Sequence, residues 1–162
     1  MKYFLFVSIG VLMVCSAFAQ DKPDRNVFTR PVEISPNPPK EVKGWTYIEN
    51  WNNGTLTSGK DQQVSVLVGK YPGQIIKFPF SGKAVGIAVF SDEESGMIEY
   101  SVDERDWQPL DLFSATPQLR YFTLEADLKE KKHMLQIRMS SDKNPNSKGQ
   151  KCILRYFVTN KK

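Results

Sequence analysis

One histidine, His133, is present in the whole sequence, and it limits the chemistry the chain can reach. A serine nucleophile needs a base beside it, because an unassisted hydroxyl is mostly protonated near neutral pH. His133 follows Lys131-Lys132 at the start of an apolar alternation, and no catalytic residue is expected. Carboxylates are the other groups suited to acid–base work, and Asp92, Glu93, Glu94 and Glu99 lie close in sequence, as a glycosidase pair would need to in space. Three consecutive acids also describe a solvated loop, and a small domain has little volume for a deep cleft.

The same acids, Asp92, Glu93 and Glu94, with Asp103 and Asp106 on the next turn, supply hard oxygen ligands for a structural calcium ion, although no spaced loop signature accompanies them. A tetrahedral transition-metal site is not expected, because His133 and Cys152 are single and distant. No other cofactor is implied. Cys152, in Lys151-Cys152-Ile153-Leu154, is read as a small apolar residue of a strand. For recognition without catalysis, Trp45, Tyr47 and Trp51 stand beside Asn50, Asn52 and Asn53. Flat aromatic faces stack on the C–H side of a sugar while amides meet its hydroxyls, which makes Trp45, Tyr47, Trp51 and Asn53 the candidate ligand-binding residues. The competing reading has Trp45 and Tyr47 covering an edge of the fold and Trp51 capping its end. Trp107 is assigned to the core.

The elements that must position these residues are short. Candidate strands run from Gln63 to Val68, Gln74 to Phe80, Ala84 to Phe90, Met97 to Val102, Arg120 to Leu124, His133 to Met139 and Cys152 to Thr159. None is long enough for a three-turn amphipathic helix. Turn chemistry separates them at Tyr71-Pro72-Gly73, Ser81-Gly82-Lys83, Glu94-Ser95-Gly96 and Asn144-Pro145-Asn146-Ser147-Lys148-Gly149. Ile98, Tyr100 and Val102 alternate with polar residues, giving one core face and one wet face. The stretch from Ala84 to Phe90 is apolar throughout, as a strand covered on both sides requires, and Gly86 within it suits a close neighbour. The expectation is an all-β antiparallel β-sandwich.

The stretch from Pro72-Gly73 through Phe78-Pro79-Phe80-Ser81-Gly82-Lys83-Ala84-Val85-Gly86-Ile87, then Glu94 to Asp103 and Trp107, resembles the N-terminal β-sandwich module of secreted bacterial acyl-esterases of the SGNH/GDSL type. His133 to Arg138, and Lys143-Asn144-Pro145-Asn146-Ser147-Lys148-Gly149 followed by Ile153 to Phe157, match its closing segment. The resemblance implies a jelly-roll or galactose-binding-like fold and a supporting or carbohydrate-contacting role beside a separate catalytic domain. No Gly-Asp-Ser or Asp-x-x-His block is present in this sequence. Two positions depart from the pattern: Arg120 stands where the family carries His, and Glu104-Arg105-Asp106 stands where a turn glycine is usual.

Ahead of the domain, residues 1–19 read as a signal peptide. Lys2 precedes an apolar run to Val14 and small residues at Ala17 and Ala19, and a cut after Ala19 yields a secreted or periplasmic protein. A lipid-anchored form through Cys15 is the alternative and would bring a membrane into play, although Val14 is bulky where a lipoprotein signal wants a small residue. Residues 20–43 carry Pro23, Pro31, Pro36, Pro38 and Pro39 and read as an extended leader or linker over the surface of a domain at 44–162. The formal charge of +4 is mild and interspersed with acids, which argues against nucleic acid as a partner. The partners expected are a glycan or a separate esterase chain. A purely structural interaction domain remains the alternative to both.

Overall fold

The computed structural model describes residues 19–20, 22–36, 44–52 and 63–160, and over them the chain is strands and turns. In chain order the strands are β1 (Ala19–Gln20), β2 (Pro31–Ile34), β3 (Trp45–Asn52), β4 (Gln63–Gly69), β5 (Ile75–Gly82), β6 (Val85–Ser91), β7 (Met97–Val102), β8 (Gln108–Asp111), β9 (Gln118–Glu125), β10 (Lys131–Met139) and β11 (Cys152–Asn160). A seven-stranded sheet runs β1-β9-β6-β11-β4-β3 with β2 also pairing β11, and a four-stranded sheet runs β5-β10-β7-β8. Every strand pair is antiparallel, and the two sheets form an all-β sandwich.

The main core lies between the sheets. Val85, Ile87 and Val89 of β6 point into it, as do Ile98, Tyr100 and Val102 of β7 and Leu135, Ile137 and Met139 of β10. Phe78 stacks on Phe157 with ring centroids 4.0 Å apart, and the Tyr100 hydroxyl donates across the sandwich to the Leu124 carbonyl at 3.1 Å. Strand β6 is buried along its whole length, because its other face is covered too. There Ala84 and Ala88 pack with Phe28, Tyr121 and Val158, while Phe90 packs with Val66, Val68 and Ile153.

The cover over Ala84 and Ala88 comes from residues expected to be leader. Phe28 is 2% exposed, and full burial of such a ring is worth roughly 1.5–3 kcal/mol. A turn fixes it: the Val27 and Phe28 amides donate to the Asp24 carbonyl, and the Asn160 side chain donates to the Val27 carbonyl at 3.1 Å. A Cβ on Gly86 would sit 3.2 Å from the Phe28 ring and 2.5 Å from the Phe122 carbonyl oxygen, so only glycine admits this packing. Beyond the turn, β2 pairs with the end of β11 from Pro31↔Asn160 to Ile34↔Phe157. Proline is tolerated there because it opens the strand. Residues 22–36 therefore belong to the sandwich, and the boundary expected at residue 44 does not mark its start.

Strands β1, β3 and β8 also lie outside the expected set. In β3 a bulge between Ile48 and Trp51 resets the register against β4, which breaks the period-two signal. In β8, Pro109 argues against a central strand, but this strand pairs only with β7, at the sheet margin.

Candidate functional site

The aromatic candidates of β3 do not form one platform. Trp45 is a core residue, 5% exposed, and its indole Nε1–H donates to the Gln74 carbonyl at 2.9 Å. That corrects its assignment as a sugar-binding residue: β3 begins with this side chain turned between the sheets, where Leu67 and Met139 also pack. Tyr47 is half-buried against the same core. Trp51, beyond the bulge, lies on the outer face of the larger sheet, tilted against Phe90 at 4.8 Å between centroids. Asn53 lies outside the described residues. Trp107, assigned to the core, is instead half-buried, with the Arg138 guanidinium 4.1 Å from the ring centroid. Arg138 is held in turn by the Glu99 carboxylate at 2.7 Å.

The calcium candidates are committed to lysines. Asp92 pairs with Lys151 at 2.8 Å, Glu94 with the same ammonium at 2.6 Å, and Glu93 with Lys148. Burial raises the Asp92 carboxyl, but bonds from Lys151, the Glu94 amide and Ser95 outweigh it and hold it below the ordinary range. Lys151 is shifted upward by the same pairs, against the opposing effect of burial. The surrounding backbone is a lock. The Lys148 amide donates to the Glu93 carbonyl, and the Ser147 hydroxyl donates to the Ser95 carbonyl at 2.8 Å. A Cβ on Gly149 would stand 2.7 Å from the Glu94 carbonyl oxygen. The Asn-Pro-Asn-Ser-Lys-Gly motif thus ties two loops together, and no group of three metal-ligating side chains converges among the described residues.

His133 is 5% exposed and stacks against Phe80. Its Nδ1 lies 2.7 Å from Asp103 Oδ2 and its Nε2 lies 2.8 Å from the Lys129 carbonyl. Both ring nitrogens thus lie within hydrogen-bond distance of an oxygen of the protein itself. Asp103 also accepts from the Met134 amide at 3.0 Å. Burial works to raise this carboxyl, and the His133 and Met134 bonds with the Lys131 charge bring it below its ordinary value. The pair anchors the turn after β7, where Asp103 and Glu104 take φ of 55° and 59°.

A concave site lies elsewhere, on the outer face of the larger sheet where residues 22–33 cross β9. The cavity measures about 640 Å³, within the roughly 300–1,000 Å³ span of small-ligand pockets. Phe28 and Leu119 supply apolar wall, Thr29, Glu33 and Tyr121 supply polar groups, and Lys22 and Arg25 complete the lining. The Tyr121 hydroxyl donates to Glu33 Oε1 at 2.6 Å. Burial, then the neighbouring Glu33 carboxylate, push the phenol pKa upward, so it remains a neutral donor. This hydrogen bond ties the segment's own strand to the sheet and fixes one end of the cavity.

None of these lining residues was singled out from sequence. The signals were present but small: Val27-Phe28 is an apolar pair inside a polar stretch, and Pro31-Val32-Glu33-Ile34 alternates as an edge strand does. Proline density masked both.

No family model matches the sequence, and no curated protein matches it. Among solved structures, the fold is similar to a two-domain esterase (CEX) active on acetylated mannans, crystallised with mannopentaose. The TM-score is 0.57 at 12% identity, over 86% of this chain and 39% of that one. The same esterase without that ligand aligns at a TM-score of 0.56. A family two carbohydrate esterase from Cellvibrio japonicus aligns at a TM-score of 0.46 and 15% identity, over 80% of this chain and 32% of that chain. The chain spans under two-fifths of the length of these esterases, and what it shares with the mannan esterase is the β-sandwich fold.

Proposed function

We propose that the protein is an exported, non-catalytic β-sandwich that binds carbohydrate through the cavity between residues 22–33 and β9. The observation that carries this reading is the cavity's chemistry. Apolar Phe28 and Leu119 stand beside the fixed hydroxyl–carboxylate pair of Tyr121 and Glu33, offering one surface for sugar C–H groups and another for hydroxyls. His133 is committed to Asp103 and Lys129, and the acids at 92–94 are committed to lysines, which supports a role without catalysis. Export to the medium or periplasm rests on the N-terminal signal pattern.

A glycan array probed with the purified protein tests the reading. Retention on at least one glycan is expected, with loss in Thr29→Trp, whose exposed position lets the indole fill the cavity without disturbing the core. No retention on any glycan, or retention unaffected by that variant, contradicts it.

A second reading has its own support. The esterase of similar fold carries the corresponding sandwich within a longer two-domain chain, so this protein would serve as the non-catalytic partner of a separately encoded esterase. Pulldown from the native source should then recover a catalytic chain in stoichiometric amount, and a solitary monomer speaks against it.

A further inference from the structure

The cavity brings two cations, Lys22 and Arg25, together with a single carboxylate, Glu33. Lys131, Arg105, Arg138, Lys148 and Lys151 each meet a carboxylate. Lys22 and Arg25, which line the cavity, make no ion pair with any described residue. The carboxylate they share the cavity with, Glu33, has Oε1 taken by the Tyr121 hydroxyl. Two cations facing one carboxylate leave an excess of a single positive charge, which a singly charged anion would neutralise. A guanidinium presents a planar fork of N–H donors that matches a carboxylate in two parallel bonds.

The remaining wall says what else the anion must carry. An inorganic anion would make no use of Phe28 or Leu119, and it would be repelled by Glu33. A ligand that satisfies the whole lining needs an apolar face, hydroxyl donors for Glu33 and one carboxylate. A uronic-acid sugar has all three on one ring. Building on the glycan-binding reading above, we propose that the cavity is selective for uronate-bearing glycans, with Lys22 and Arg25 receiving the sugar carboxylate and Glu33 accepting from a sugar hydroxyl.

Isothermal titration of the purified protein with a panel of oligouronides, their methyl esters and neutral oligosaccharides of the same length tests this. An oligouronide should bind best, esterification should weaken it by about tenfold or more, and the double variant Lys22→Gln with Arg25→Gln should lose a similar factor. Both positions are exposed, and an unchanged melting temperature verifies the fold. Neutral sugars binding as tightly as oligouronides, with the double variant unaffected, overturns the charge selectivity while leaving glycan binding in place. Acetate competing as well as the oligouronide at equal concentration overturns the sugar component. Silence of every sugar, charged or neutral, overturns the selectivity together with the reading it rests on.

Discussion

Two loop-rich regions of this sandwich are built on opposite plans. Where the Asp92–Gly96 turn meets Asn144–Lys151, carboxylates are matched by ammonium groups and carbonyls by amides or hydroxyls. Glycines let the two backbones approach within contact distance there. Where residues 22–33 cross β9, the chain is anchored by one buried ring and a few bonds, and it leaves a cavity with unpaired cations. Saturated polar groups hold loops in place; groups left unsaturated beside an apolar wall are what a ligand can use.

That contrast can be broken at its anchors first. Phe28→Ala should have the largest effect, about 3–5 kcal/mol lost in urea unfolding, with release of residues 22–36 seen as faster amide exchange. A loss under about 1 kcal/mol would mean that the segment is not part of the folded unit. Gly149→Ala should follow, costing about 1–3 kcal/mol because a methyl would press on the Glu94 carbonyl, and it should leave ligand binding at the cavity unchanged. Glu104→Gly acts in the other direction. Glu104 holds a left-handed backbone at φ 59°, so glycine should raise stability by up to about 1 kcal/mol, and a loss instead would show that the turn carries no strain.

Acid distinguishes the regions more gently. Asp92 and Asp103 both lie below the ordinary carboxylate value of 3.8 when folded. Their contribution is therefore complete above that value, where the unfolded groups are also ionised, and is lost as pH falls through the folded values. Unfolding followed from pH 6 to pH 2 should show stability falling below about pH 4, and Asp92→Asn should flatten part of that slope. The smallest effect expected is that of Lys148→Ala: its ammonium is on the surface, and the urea midpoint should not move measurably.

Much of the fold was legible because β-strand alternation and turn residues are local signals. Met97–Val102 has the expected bounds, and the apolar stretch from Ala84 to Phe90 is covered on both faces. The site was less legible. Trp45 and Trp51 share a short stretch, but a bulge between Ile48 and Trp51 separates the faces they serve, and no local pattern announces a bulge. The acids at 92–94 have the look of a metal loop until the lysines at 148 and 151 arrive from more than fifty residues away. Proline spacing argued against a helix, and none runs through residues 22–36, yet it could not reveal that Phe28 finds a glycine-lined seat on β6, because Gly86 lies far along the chain.

The proposed carbohydrate site is formed by residues 22–33 and β9 together. Amide and side-chain NMR shifts recorded during titration with an oligouronide test it most directly. Saturable shifts are expected at Arg25, Phe28, Leu119 and Tyr121, with little change in the 92–96 and 144–151 loops. Shifts clustered instead around Trp51 or Trp107, with residues 22–33 unmoved, would contradict it.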